Sequence, residues 1–146
     1  MTPLTLSFIH SHPDTAARVL DALDTAAAVE WCRGVPARLV APVLARMHPD
    51  QAARIIALLD PVMGAALIRA MPYIDAVTLL RLVADRERAA IFNELPTRVA
   101  REVTRSLEYP KGTVGAWMES SIAAFRTSSR VADALRYVRR QQTQSL

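Results

Sequence analysis

A single cysteine, Cys32, cannot form an intramolecular disulfide, and this scarcity fits a reducing compartment. Cys32 sits mid-helix beside Trp31 and reads as a buried structural thiol. Aromatic residues make up only 5% of the chain, and neither Trp31 nor Trp117 lies in a cluster of arginine or lysine, so no base-stacking surface for single strands is expected. Hydrophobic residues reach 51%, yet the longest apolar run is of the order of Pro61 to Ile68. A membrane span needs roughly 18 such residues. The start of the chain lacks the basic and apolar segments of a secretory signal, and a cytoplasmic location is expected. HExxH, CxxC, a phosphate-cradling glycine loop and a GxSxG elbow are all missing, which argues against an enzyme and against a small-molecule substrate. The histidines are His10, His12 and His48; the last two precede prolines at equivalent helix starts, a capping position rather than a metal pair.

Self-similarity is what the chain does have. His12 to Pro36, HPDTAARVLDALDTAAAVEWCRGVP, aligns without gaps on His48 to Pro72, HPDQAARIIALLDPVMGAALIRAMP, 36 residues on, with ten of 25 positions identical. A further step superposes Ile91, Phe92 and Leu95 on Ile55, Ile56 and Leu59. Repetition of this kind marks an array in which each unit buries its apolar face only against its neighbours.

Helix punctuation follows the repeat: a capping or turn residue, often a proline at the first helical position, then about ten residues with apolar positions three and four apart. This spacing predicts a helix from Pro13 burying Ala16, Val19, Leu20 and Leu23. A second, capped by Asp24, buries Ala28, Val29 and Cys32 and stops at Gly34, where a left-handed cap is expected. Pro36 opens a third, with Pro42 bending it. His48-Pro49 and Asp60-Pro61 start the next two, the latter with Leu67 and Ala70 inward and Gly64 inside it. Pro72, Asp85 as an N-cap, and Pro96 begin the remaining three. At Tyr109 the pattern breaks; YPKGTVGAWM reads as a turn and a capped segment, Ile122 to Phe125 as a short strand, and Ser129 onward as a final amphipathic helix. The expected fold is all-α, a right-handed superhelix (α-solenoid) of about eight short helices, then a short strand and one C-terminal helix.

Charge divides unevenly. Up to Pro96 there are nine basic and ten acidic residues; from Thr97 onward, nine basic and four acidic. The basic third reads first as a solvated helical face, with nucleic acid or an anionic leaflet as less favoured partners.

These residues resemble the intracellular N domain of MgtE-family magnesium channels, together with the start of the cystathionine-β-synthase-type (CBS) domain that follows it. The similarity rests on LPxx and HPxx helix starts, here Met71-Pro72, Leu95-Pro96, His12-Pro13 and His48-Pro49. It rests further on the junction Tyr109, Gly112-Thr113, Val114-Gly115 and Met118, and on SRVADALRYVR from Ser129 to Arg139, which matches the family's TVxxALxxLR helix. The resemblance implies an N domain over 12–108 and a junction with an incomplete CBS-like strand and helix over 109–146. It also implies a regulatory role, with Mg²⁺ between the N and CBS domains holding the assembly compact and the pore shut. Implied partners are a CBS domain and a membrane transport domain, in cis or trans, at the inner face of the bacterial membrane; a homodimer through the C-terminal segment is a further expectation.

At the family's acidic run, LPxDDAADLL, this chain reads MPYIDAVTLL from Met71 to Leu80. Asp75 remains, while Ile74 and Thr78 occupy the other two acidic positions. Asp75 is therefore the first candidate metal ligand, with Asp50, Asp85 and Glu87 as others, and the Mg²⁺ response is expected to be weak or lost. The alternative is a free-standing helical-repeat adaptor without a metal response.

Overall fold

The computed structural model describes residues 3–110, 113, 125, 127–128 and 130–144. They form ten α-helices: α1 (Pro3–Ser11), α2 (Pro13–Ala22), α3 (Thr25–Arg33), α4 (Ala37–Leu44), α5 (Pro49–Leu58), α6 (Pro61–Ala70), α7 (Tyr73–Leu82), α8 (Asp85–Glu94), α9 (Thr97–Glu108) and α10 (Val131–Gln144). No strand occurs among the described residues, and the one expected over Ile122–Phe125 lies outside them except for Phe125. Most of the 109–118 junction also falls outside.

From α2 to α9 the helices begin at Pro13, Thr25, Ala37, Pro49, Pro61, Tyr73, Asp85 and Thr97, an interval of 12 residues every time. The 36-residue similarity is thus three single-helix units. Counting the helix start as position 1, position 8 holds Leu20, Cys32, Leu44, Ile56, Ile68 and Leu80 in α2 to α7, all buried. Position 5 holds Ala17, Val29, Ala41, Ala53, Ala65 and Val77, also buried, whose short side chains let neighbouring helices approach.

Connections obey the same register. After each ten-residue helix comes an apolar residue in extended conformation, as at Leu59, Met71, Val83 and Leu95, and then the next N-cap. All four of these connecting residues are buried, which fixes the turn to the core. Asp24 accepts a hydrogen bond from Ala27 N (2.8 Å) and Asp60 one from Val62 N (2.9 Å), so both are side-chain N-caps. Pro36, Pro72 and Pro96, expected from sequence to begin their helices, stand at the N-cap instead, with the helices starting one residue later, whereas Pro13, Pro49 and Pro61 are first helical residues. Asp85 is likewise the first residue of α8, not its cap; Ala84 holds that place.

Packing runs between alternate helices. α2, α4, α6 and α8 stack in one row, α3, α5, α7 and α9 in another, and α1 lies on α2 and α4. The buried side chains form one continuous cluster from Ile9 to Val103. A Cβ on Gly64 would stand 3.0 Å from Ile91 Cγ1, so the glycine marks a close approach of α6 to α8.

Three local expectations are corrected. Gly34 ends α3 with φ −85°, in the right-handed region, because its N–H and that of Val35 continue the turn onto Trp31 and Cys32 carbonyls. Ala70 is exposed, and Ile68 takes the inward place. Val19 and Leu23, expected in the core, are 55% and 39% exposed. They belong to the first unit of the register among the described residues, where, of the chain ahead of it, only α1, which is outside the register, packs on α2. Pro42 lies inside α4, which at eight residues is shorter than the ten-residue α5 to α8.

Candidate functional site

The acidic candidates spread over three helices. Asp75 is half-buried in the first turn of α7. Ile74 beside it is 42% exposed, and the Thr78 hydroxyl donates to the Ile74 carbonyl (2.8 Å) within the same helix. A threonine bonded back to its own backbone offers little to a partner. Asp50 lies in the first turn of α5, with its carboxylate 3.7 Å from His48 Nδ1. It lines an open groove of about 410 Å³ with Arg54, Ala53 and Ala57 of α5 and residues 82–84 at the end of α7. Asp85 and Glu87 occupy the first turn of α8, where carboxylates meet the positive end of the helix dipole, and Asp85 pairs with Arg88.

The groove brings Asp50 to the chain just ahead of Asp85. Among the described residues, however, no group of three or more His, Cys, Asp or Glu gathers where an ion could be held. Mg²⁺ requires a near-octahedral shell of oxygens, keeps several waters, and is commonly held by one or two carboxylates plus a second molecule's oxygens. The face carrying Ile74, Asp75 and Thr78 supplies one carboxylate. The described residues do not by themselves fit the ion.

Other reactive groups have structural surroundings. Cys32 is buried, and desolvation pushes its thiol up to about 12, so it is protonated and inert at neutral pH. His12 and His48 are the N-cap residues of α2 and α5. The His12 ring lies tilted against Phe8 at 5.0 Å between centroids, and His48 N donates to the Asp21 carboxylate at 3.3 Å. Asp14 pairs with Arg46 at 3.0 Å. Trp31 packs on the core as a half-buried side chain.

The basic third begins on α9, where Arg98, Arg101 and Arg105 lie along one face with Glu102. Arg98 reaches Glu102 at 3.4 Å, while Arg101 and Arg105 are exposed. No aromatic side chain occurs within α9, so the face has charge without a stacking platform.

Sequence reasoning missed a polar latch between α7 and α9. Tyr73 OH is 2.6 Å from Ser106 Oγ and donates to Glu102 O at 3.0 Å, and Arg81 donates to the Ser106 and Leu107 carbonyls. Arg88 similarly donates to Leu80 O and Val83 O, both at 3.2 Å, closing the end of α7. The available signal was Arg88 itself, standing at position 4, where α2, α3, α5 and α7 carry Ala16, Ala28, Ala52 and Ala76.

A family model described as the MgtE intracellular N domain matches residues 11–112, from the end of α1 through α9. None of the curated proteins and none of the solved structures compared with the chain matches it. Among the described residues, no helix is long and apolar enough to cross a membrane.

Proposed function

The chain belongs to the MgtE intracellular N domain family, and from that premise we propose that it is a non-enzymatic regulatory domain acting by contact. Its partner in this reading is a CBS domain and, through that, a membrane transport domain, in the same polypeptide or another, at the inner face of the membrane. The observation that carries the reading is the family match, which spans both rows of the stack. The use of titratable groups supports it: Asp24 and Asp60 cap helices, Asp14, Asp85 and Glu102 pair with arginines, and Cys32 is buried.

The contact face we favour is that of α7. Ile74 and Asp75 there offer an apolar side chain beside one carboxylate, so binding rests mainly on apolar burial and Mg²⁺ has a weak or lost role. The test is calorimetric titration of the full chain with the purified CBS region of an MgtE transporter, in EDTA and in millimolar Mg²⁺ at fixed ionic strength. Binding in both conditions, with affinities within about tenfold, or ~1.4 kcal/mol, is the expected result. No binding in either would defeat the regulatory reading; binding that appears only with Mg²⁺ would defeat the weak metal role.

A second reading, a helical-repeat adaptor with no metal response, is favoured by Ile74 and Thr78, neither of which presents a carboxylate. For the adaptor, the melting temperature stays unchanged by millimolar Mg²⁺ or Ca²⁺ and the CBS region does not bind.

A further inference from the structure

The 12-residue register identifies side chains that the fold treats as core. Val19 stands at position 7 of its unit, where Val43, Ile55, Leu67, Leu79, Ile91 and Val103 are all buried. Leu23 stands at position 11, where Met47, Leu59, Met71, Val83 and Leu95 are buried. Trp31 and Leu107, which also occupy these places, are half-buried, whereas Val19 on α2 and Leu23, the extended residue that ends it, are exposed. In the array, what covers such positions is always an amphipathic helix. The molecule has another helix with an uncovered apolar face: on α10, Val131 is 76% and Leu135 51% exposed, one turn apart.

We propose that the open N-terminal end of the stack receives α10 from a second copy of the chain, and that two copies exchange these helices reciprocally. Charge favours the pairing. Residues 1–36 carry Arg18 and Arg33 against Asp14, Asp21, Asp24 and Glu30, a net of −2, while residues 130–146 carry Arg130, Arg136, Arg139 and Arg140 against Asp133, a net of +3. Arg130 immediately precedes α10, and Asp21 and Asp24 flank Leu23 at the receiving end. In sequence, 22 residues separate α9 from α10. Reciprocal exchange closes the pair and leaves no free end to propagate a fibre.

The test uses the full chain without added metal, by sedimentation velocity over a rising concentration series, with Val19→Glu and Leu135→Glu. Both sites are exposed, so helicity by circular dichroism and the monomer's melting temperature should stay as in the parent. The parent should dimerise, and each variant alone should weaken the dimer by about tenfold or more, because an unpaired carboxylate would be buried in the contact. An equimolar mixture of the two variants should recover part of the association, since one supplies an intact α10 and the other an intact end. A parent that stays monomeric throughout overturns the proposal. So does a mixture that gains nothing over the separate variants, or a monomer whose melting temperature falls in both, the sign of α10 folding onto its own stack.

Discussion

At the C-terminal end of the stack, positions that hold glycine, alanine or valine elsewhere carry Arg88 and Arg101, and position 8 of α9 is the exposed Thr104; at the N-terminal end, Val19 and Leu23 keep the apolar residues of the interior. An array of identical units would expose apolar surface at both ends, so polar substitution in the last units is how such an array stops. Here one end is finished with charge and the other is not. Burial in this molecule is set by two things, the place within the 12-residue unit and the number of units on either side. The same residue type can therefore be core or surface.

The largest effect should come from the middle, where both conditions favour burial. Ile56→Ala removes a fully buried side chain at position 8 of α5, a helix packed between α3 and α7. The expected cost is about 2–5 kcal/mol, transfer plus cavity, read from the midpoint of urea unfolding. The equivalent position in α9, Thr104, is exposed, and Thr104→Ala should change stability by no more than ~0.5 kcal/mol. Similar losses at the two sites would mean that unit position alone governs the core.

An intermediate effect is expected where α9 is fastened. Ser106 is the one buried polar side chain among the described residues, and Tyr73 OH is its partner. Tyr73→Phe leaves that hydroxyl unsatisfied and removes the bond to Glu102 O. A loss of about 1–3 kcal/mol follows, with protection from amide exchange falling first in α9. Adding Ser106→Ala to Tyr73→Phe should return part of the loss, since no buried donor is then left unpaired.

Most of the helices were legible in the sequence because capping and periodicity agreed. Asp24 and Asp60 cap as their positions before apolar runs indicate, and Cys32, Ile56 and Leu80 are buried as their spacing requires. Two further kinds of information were not legible. The unit length was read as 36 because identity is highest between every third helix; the 12-residue register lies in residue size and polarity, which shows only once helix starts are known. End effects were also hidden: Val19 fits an amphipathic pattern as well as Val43 does, and pattern contains no term for a missing neighbour. The candidate ligands Asp75, Asp50, Asp85 and Glu87 were placed on helices by sequence, but whether helix faces converge is a matter of row packing. The latch of Tyr73 and Arg81 onto α9 joins residues 25 to 33 apart, beyond any local pattern.

The smallest effect is also the sharpest test of the contrast between ends. Val43 and Val19 share a residue type and position 7, but Val43 is fully buried and Val19 is not. Val43→Ala should cost about 2 kcal/mol from lost apolar burial and an unfilled space. Val19→Ala loses little burial in the monomer, and alanine is the better helix former by a few tenths of a kcal/mol, so its change should lie within ~0.5 kcal/mol of zero and on the stabilising side. Measured at concentrations low enough to keep the chain monomeric, a cost at Val19 matching that at Val43 would show that α2 is already covered in solution, by α1 or by α10 of the same chain. A neutral value leaves the end open, and the surface that Val19 presents is then free for a partner.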